Sequence, residues 1–564
     1  MRNQLHPYPS RSRTLAVSAL AIAASAAIAT SGVIGAAPAS AAGGCTTTYY
    51  VSPSGSDAAS GTTVSSAWKT IDKVNASTLA PGTCVYFAGG ATFEGGIYLD
   101  SADAGSAAQR VVLGSYGTGK ATIYSATNNG VFAYNTAGVT VQDLSIIGNG
   151  YDANGSTGIY FYNDLPEATQ LSGITIQRVD VAWYGGSGIM LGAYPADGSK
   201  SGFTDILITA SAAHDNADAG IQTYGVYSAT AVGYAHHNVV IRDVQAFNNV
   251  GRIDKGNNSG NGIVLGDVDG ALIEKSSAYN NGARNNWPGG GPVGIWAYDS
   301  NRVTIQYNES YENKSGTVDG GGFDLDGGVT NSVMQYNFSH DNEGAGYLVF
   351  QYVGARPLTD NVVRYNISRN DSRDGKYGAI TVGSYGSPAT NTRVYGNTIY
   401  MEPGLTANSS AAGIRVWENT VNAQFFNNSI HVTGGIPLVS VERDTTTTFR
   451  GNNYYSTGGS FLVLVGGSNF DDTAATHYAS LPAWRNATGA ERVNGTASGS
   501  TFEPKYAGDP ATTAKDWVFA LKPTSRLIGA GIDLGRLGIS AGGRDYFGVP
   551  VPLLKKYSIG ASQL

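Results

Sequence analysis

Val293-Gly294-Ile295-Trp296-Ala297-Tyr298-Asp299 is answered about one coil later by Gly321-Gly322-Phe323-Asp324-Leu325-Asp326. Both read glycine, apolar, variable, apolar, variable, and the phrase recurs after Gly158, Gly188, Gly220, Gly262, Gly346, Gly378 and Gly413. These glycines fall roughly 24 to 42 residues apart, a period that marks a solenoid of stacked units. Between them, Val139-Thr140-Val141-Gln142, Ile174-Thr175-Ile176-Gln177, Val239-Val240-Ile241-Arg242 and Val303-Thr304-Ile305-Gln306 alternate with period two. That pattern is a half-buried strand, so each unit is a coil of β-strands.

A third phrase places an aromatic or His ahead of Asn: His214-Asp215-Asn216, Phe247-Asn248-Asn249, Tyr279-Asn280-Asn281, Tyr311-Glu312-Asn313 and His340-Asp341-Asn342. Asn suits left-handed turns, and its amide can bond the same residue one coil away. The phrase predicts an internal asparagine ladder and gives His214 and His340 a structural role.

On these phrases the chain resembles the right-handed parallel β-helix proteins of the pectate-lyase-like superfold, found among secreted polysaccharide-active enzymes. The resemblance spans roughly residues 47 to 564. At its front, Tyr49-Tyr50-Val51-Ser52-Pro53-Ser54-Gly55-Ser56-Asp57, Ala67-Trp68-Lys69-Thr70-Ile71 and Leu79-Ala80-Pro81-Gly82 look like an entry motif; at its back, Arg544-Asp545-Tyr546-Phe547-Gly548 and Ile559-Gly560-Ala561 look like a closing signature. It implies an all-β, single-stranded parallel β-helix with an N-terminal helical cap and an irregular C-terminal cap. The superfold hosts hydrolases, lyases, epimerases and phage spikes, so it does not choose the reaction. None of the local motifs of pectin-cleaving hydrolases is intact.

The organisation follows. Residues 1–41 read as a secretory leader: Arg2, Arg11 and Arg13, an Ala-rich apolar run from Leu15 to Ala29, then Ala39-Ser40-Ala41 as the cleavage site. Residues 42–100 form the N-terminal cap and first coils, with Trp68, Ile71 and Val74 at helical spacing. Residues 101–456 are the helix body carrying the groove, and 457–564 the last irregular coils and the C-terminal cap. The expected product is extracellular, soluble and monomeric. The two cysteines, Cys45 and Cys84, are expected to form one bridge in an oxidising compartment. Formal net charge is −7 and falls to about −10 without the leader arginines. With no basic runs, this excludes nucleic acid as a partner and favours a neutral polysaccharide or oligosaccharide.

If the glycine-led strands stack in register, the second and fourth residues after each glycine face outward together. The outward residues put Asp324 and Asp326 on one strand, with Asp299 on the adjoining coil. Two close carboxylates raise one another's proton affinity, so one can serve as general acid while the other activates water or attacks a sugar. Asp299 and Glu343 are further catalytic candidates, and Asp319 reads as a turn residue. Trp296, Tyr298, Tyr224, Gln222, Asp267, Phe350, Gln351, Arg415, Trp417 and Glu418 are the candidate substrate-binding residues, because aromatic rings beside acids suit sugar recognition. The competing reading has Trp296, Tyr298 and Phe350 covered by a long loop. His236 and His237 lie in the longest insertion, roughly 226–238, placed to wall the groove.

The leading reading is a secreted glycoside hydrolase that requires no cofactor. The alternative is a polysaccharide lyase or epimerase in which Asp299, Asp324 and Asp326 ligate Ca2+ and Arg415, three coils or ~14 Å away, is the base; Lys376 is nearer but sits in a turn. The third is a non-catalytic glycan-binding solenoid or adhesin, which gives no reason to cluster carboxylates.

Overall fold

A computed structural model describes residues 44–406, 410–468, 471–551 and 556–564. The leader lies outside the described residues. The chain winds into a parallel β-solenoid whose three long sheets each take one strand per coil, with 14, 14 and 13 strands. The second of these sheets contains the glycine-led strands, among them Ile159–Asn163, Ile189–Ala193, Val293–Tyr298 and Gly321–Leu325.

Register explains the sequence period. Ile159, Ile189, Ile221, Ile263, Ile295, Phe323, Tyr347, Ile380 and Ile414 pair in sequence, coil on coil. All are fully buried, forming one column of a core that can grow only along the axis. The glycine-led reading slips once. Tyr347 pairs Ile380 and Phe350 pairs Gly383, so Ala379, and not Gly378, occupies the leading position. Ile380 and Val382 therefore point inward, and Thr381 takes the outward place between Leu348 and Arg415.

The asparagine ladder is present. The side-chain amides of Asn216, Asn249, Asn281 and Asn313 each donate to the next Asn, and Asn342 donates to Asp371 at 2.8 Å. The left-handed residue is the one before each rung, as at Asp215, Asn248, Asn280, Glu312 and Asp341. A second ladder runs from Asn308 through Asn337, Asn366, Asn397, Asn428 and Asn452 to Glu491.

Both ends are plugged, as open solenoids require. Trp68, Ile71 and Val74 are buried under the first coils around the short helix Ile71–Asn75, and a disulfide joins Cys45 to Cys84. At the far end the helix Leu481–Thr488 sets Trp484 against Phe449 and Tyr454, closing the core. The segment beyond it is more than an end cap. It folds back along the outside of the solenoid, packing Phe519 on Phe338 and Tyr557 among Tyr336, Tyr365 and Tyr395.

Candidate active site

The strand Gly321–Leu325 buries Phe323 and Leu325 in the core, and alternation turns Asp324 to the opposite face. There it lies in register between Trp296 on one coil and Leu348 on the next. Both neighbours are apolar and nearly inaccessible, and Asp324 itself is 3% exposed. Asp326 follows where the strand ends; its amide donates to Ala297 O at 2.8 Å. The Tyr352 ring closes on this turn so tightly that a Cβ at Gly327 would stand 2.4 Å from it.

A third carboxylate joins from the turn before the strand. Asp319 accepts from the Gly291 amide at 2.6 Å and from the Tyr377 hydroxyl. Burial pushes its carboxyl above the ordinary range, opposed by these two donors and by Lys376. Burial also lifts Asp324 well above the usual carboxylate value, reinforced by Asp326 and then Asp319. Asp326 is raised to about 7, again by burial first, with the Gly327 amide opposing and Asp319 adding. One oxygen of Asp324 is buried without a hydrogen-bond partner. Three acids in a dry setting share too few cations to ionise together, so the group holds a proton near neutral pH.

Asp326 thus acts on Asp324, whereas Asp299, whose amide donates to Gly327 O at 2.7 Å, has its carboxylate engaged by another partner. Asp299 is buried and ion-paired with Arg356, whose guanidinium also donates to Asp299 O at 3.0 Å and lies 3.6 Å from Asp267. Lys200 holds Asp267 at 2.6 Å. This buried network fastens the 226–238 insertion over the face: Arg356 sits 4.2 Å from the Tyr234 ring centre and donates to Gly233 O, and the Tyr227 hydroxyl donates to Gly354 O. His236, expected to wall the groove, is instead the buried first residue of the strand His236–Arg242, stacked on Phe203.

Several expected sugar contacts are committed elsewhere. Arg415 is fully buried, paired with Glu442 and Asp472 at 3.1 Å each, because the outward face of its coil is itself covered. Gln351 is buried and donates to Arg356 O, and Glu418 pairs with Arg443 at 2.8 Å. Glu343 accepts from the Ser315 amide at 2.9 Å. Trp296 is 4% exposed, donates to Asn261 and packs with Ala219, Val264, Val293 and Tyr298. Trp417 is buried and stacks on Tyr377 with Leu348 and Phe350 around it. Trp296, one of the three rings in the covered-loop reading, is thus packed rather than open, and so is Trp417. Tyr298 and Phe350 are half-buried at the edges of those clusters; Tyr224 bonds Tyr160, and Gln222 accepts from Ser187.

The sequence reading missed Asp319 as an acid partner, and Tyr377, Tyr352 and Arg356 altogether. Asp319 and Tyr377 stand just before glycines, in turns, where an outward stripe does not look. With Asp299 taken by Arg356, the three-aspartate Ca2+ set does not assemble. Among the described residues no group of three or more His, Cys, Asp or Glu side chains is placed to hold a metal ion, and no helix is long and apolar enough to cross a membrane.

No family model matches the chain, and no curated protein does. Solved structures do. The GH136 lacto-N-biosidase from Eubacterium ramulus aligns over 71% of this chain and 67% of its own, at 20% identity and a TM-score of 0.50. The mannuronan C-5 epimerase AlgE4 A-module from Azotobacter vinelandii aligns over 67% of this chain and 87% of its own, at 15% identity and a TM-score of 0.41. Pectate lyase Pel9A aligns over 92% and 96%, at 14% identity and a TM-score of 0.34. What this chain has in common with the lacto-N-biosidase is the fold, and this chain is an all-β parallel β-solenoid.

Proposed function

We propose that the protein is a secreted glycoside hydrolase acting on a polysaccharide or oligosaccharide. The observation that carries the reading is the pair Asp324 and Asp326, one turned out of the core on the strand Gly321–Leu325 and the other just past its end, held in surroundings that keep a proton between them. Asp324, the drier member, is assigned as the general acid that protonates the glycosidic oxygen. Asp326 is assigned as the carboxylate that takes a proton from the attacking water, or adds to the anomeric carbon and is later released by water. Either route consumes one water and leaves a new reducing end. Asp319 is a positioning residue whose negative charge, fixed by Tyr377 and Gly291, favours the protonated acid.

The lyase or epimerase reading loses Arg415, which is sealed between two acids, and its nearer candidate Lys376 pairs with Asp374 and donates to Thr317 O. Secretion is supported by the leader-like N-terminus and by the Cys45 to Cys84 disulfide.

The test uses the mature protein on neutral and uronic-acid glycans, with and without a chelator, reading reducing ends and the ultraviolet absorbance of unsaturated products. Chelator-insensitive reducing ends without that absorbance are expected. Asp324→Asn and Asp326→Asn, each alone, should lower turnover by about 10²- to 10⁴-fold with glycan binding retained. Chelator-sensitive ultraviolet absorbance, or full activity in Asp324→Asn, would overturn the reading.

A further inference from the structure

The sheet face that carries Asp324 bears a second feature near its N-terminal edge. Tyr98 pairs in register with Phe132, Phe132 with Tyr160, and Tyr134 with Tyr162. Tyr194 follows the next strand, and its carbonyl lies 3.5 Å from the Tyr162 hydroxyl. The six rings cover neighbouring coils. Tyr98 is 41% exposed and Tyr194 58%, and Phe132, Tyr134, Tyr160 and Tyr162 are half-buried.

Outward aromatics elsewhere on this solenoid behave differently. His214, Phe247, Tyr279, Tyr311 and His340 stack with centroids 4.6 to 4.9 Å apart and planes within 6°, so each ring seals the next. On the N-terminal coils Phe132 and Tyr160 are 5.3 Å apart and tilted by 25°, Tyr134 and Tyr162 6.2 Å and 19°, and Tyr98 and Phe132 5.9 Å and 53°. These rings do not close on one another. They are nevertheless fixed: Tyr134 donates to Asp164 at 2.9 Å, Asn135 holds the same carboxylate at 2.8 Å, and the Tyr160 and Tyr224 hydroxyls are 2.6 Å apart.

The row does not stop there. Tyr160 continues in register through Met190, Gln222, Val264 and Trp296 to Asp324. The last rings and the acid are five coils apart, ~24 Å, with Val264 and Trp296 buried between them.

We infer that this terrace is an ancillary binding site for a neutral glycan chain, distinct from the acid cluster and in line with it. Amphipathic rings at fixed tilts offer apolar faces to sugar rings and hydroxyl edges to their rims with little ordering cost. The charged group at the rim is Asp164, which repels a polyuronate and is indifferent to an uncharged polymer. Alignment with the Asp324 row says which way the polymer runs: along the solenoid axis, toward the acids. The inference shares the glycan part of the functional reading and does not depend on hydrolysis.

Affinity electrophoresis of the mature protein in gels containing xyloglucan, galactomannan, arabinoxylan or alginate tests it. Retardation in at least one neutral gel is expected, weakened about tenfold in Tyr98→Ala/Tyr134→Ala/Tyr162→Ala and retained in Asp324→Asn. Tyr98→Ala alone, an exposed edge position that cannot unfold the core, should weaken it measurably. Free migration in every neutral gel, retardation by alginate only, or wild-type retardation in the triple variant would overturn the proposal. So would a dimer, seen by light scattering, that Tyr98→Ala converts to monomer, since the terrace would then be a contact between copies of this chain. Full turnover by Asp324→Asn would sink the hydrolase reading and leave the terrace standing.

Discussion

The Tyr377 hydroxyl donates to the carboxylate of Asp319, from a coil two further along the solenoid. One phenol therefore sets how much negative charge sits beneath Asp324 and Asp326. In Tyr377→Phe a hydrogen bond to a charged group is lost, about 1.5 to 3 kcal/mol, and Asp319 rises further. The variant should melt earlier at pH 8 than the parent, with the gap narrowing as pH falls and Asp319 takes up its proton in both. The pH–rate profile should shift as well; a profile and melting curve that both match the parent would show that Asp319 is not coupled to the pair.

Asp326 has a stability signature independent of any substrate. Its carboxyl is raised from about 3.8 when unfolded to about 7 when folded, so the folded state binds the extra proton. The associated stability is fully present below the unfolded value and is lost as pH rises through 7. Asp326→Asn should be the more stable protein at pH 8, by on the order of 2 to 4 kcal/mol, and no more stable than the parent at pH 4. Urea denaturation at the two pH values measures this directly, and equal differences at both would contradict the assignment.

Arg415 supports architecture. Removing it leaves Glu442 and Asp472 facing each other without their shared cation, so Arg415→Ala should cost about 3 to 5 kcal/mol in urea. A folded, fully stable Arg415→Ala protein with weakened glycan binding would restore the sugar-contact role.

Asn313 accepts from Asn281 and donates to Asn342 inside the core. Asn313→Ala takes the acceptor from the Asn281 backbone amide and from one of its side-chain amide hydrogens in a site closed to water, about 1 to 3 kcal/mol for each orphaned group, while Asn342 Oδ1 keeps the backbone amide of residue 313. Hydrogen exchange should report the loss at the coils carrying Asn281 and Asn342 first.

The coil period, the inward isoleucine column and the first ladder were legible because each repeats at fixed spacing and depends only on neighbours one coil away. The outward direction of Asp324 and Asp326 followed from the same alternation. Three things did not follow. Gly378 looks like every other leading glycine, and only pairing with Tyr347 shows it is one residue early; a slip of one inverts every side chain. Alternation tells which residues leave the core, but Trp296 and Trp417 are buried all the same, among side chains of their own and neighbouring coils. Arg356 reaches Asp299 across 57 residues, a partnership no local pattern announces. Asp319 escaped for a related reason: a turn residue has no place in a strand period, though it supplies the charge that makes the pair unusual.

The two ladders carry one more meaning. Each rung from Asn216 to Asn342 takes a hydrogen from the coil before it and hands one to the coil after, so every row has a direction. Asp371 and Glu491 accept and have no amide hydrogen to hand on. In the vocabulary of polymer chemistry they are chain terminators. Each carboxylate ends its own row and not the solenoid: the strands Thr398–Met401, Ser429–Thr433 and Asn453–Thr457 still stack beyond Asp371, so a transplanted coil would have to be spliced in ahead of a row's terminator to keep that row's buried amides paired.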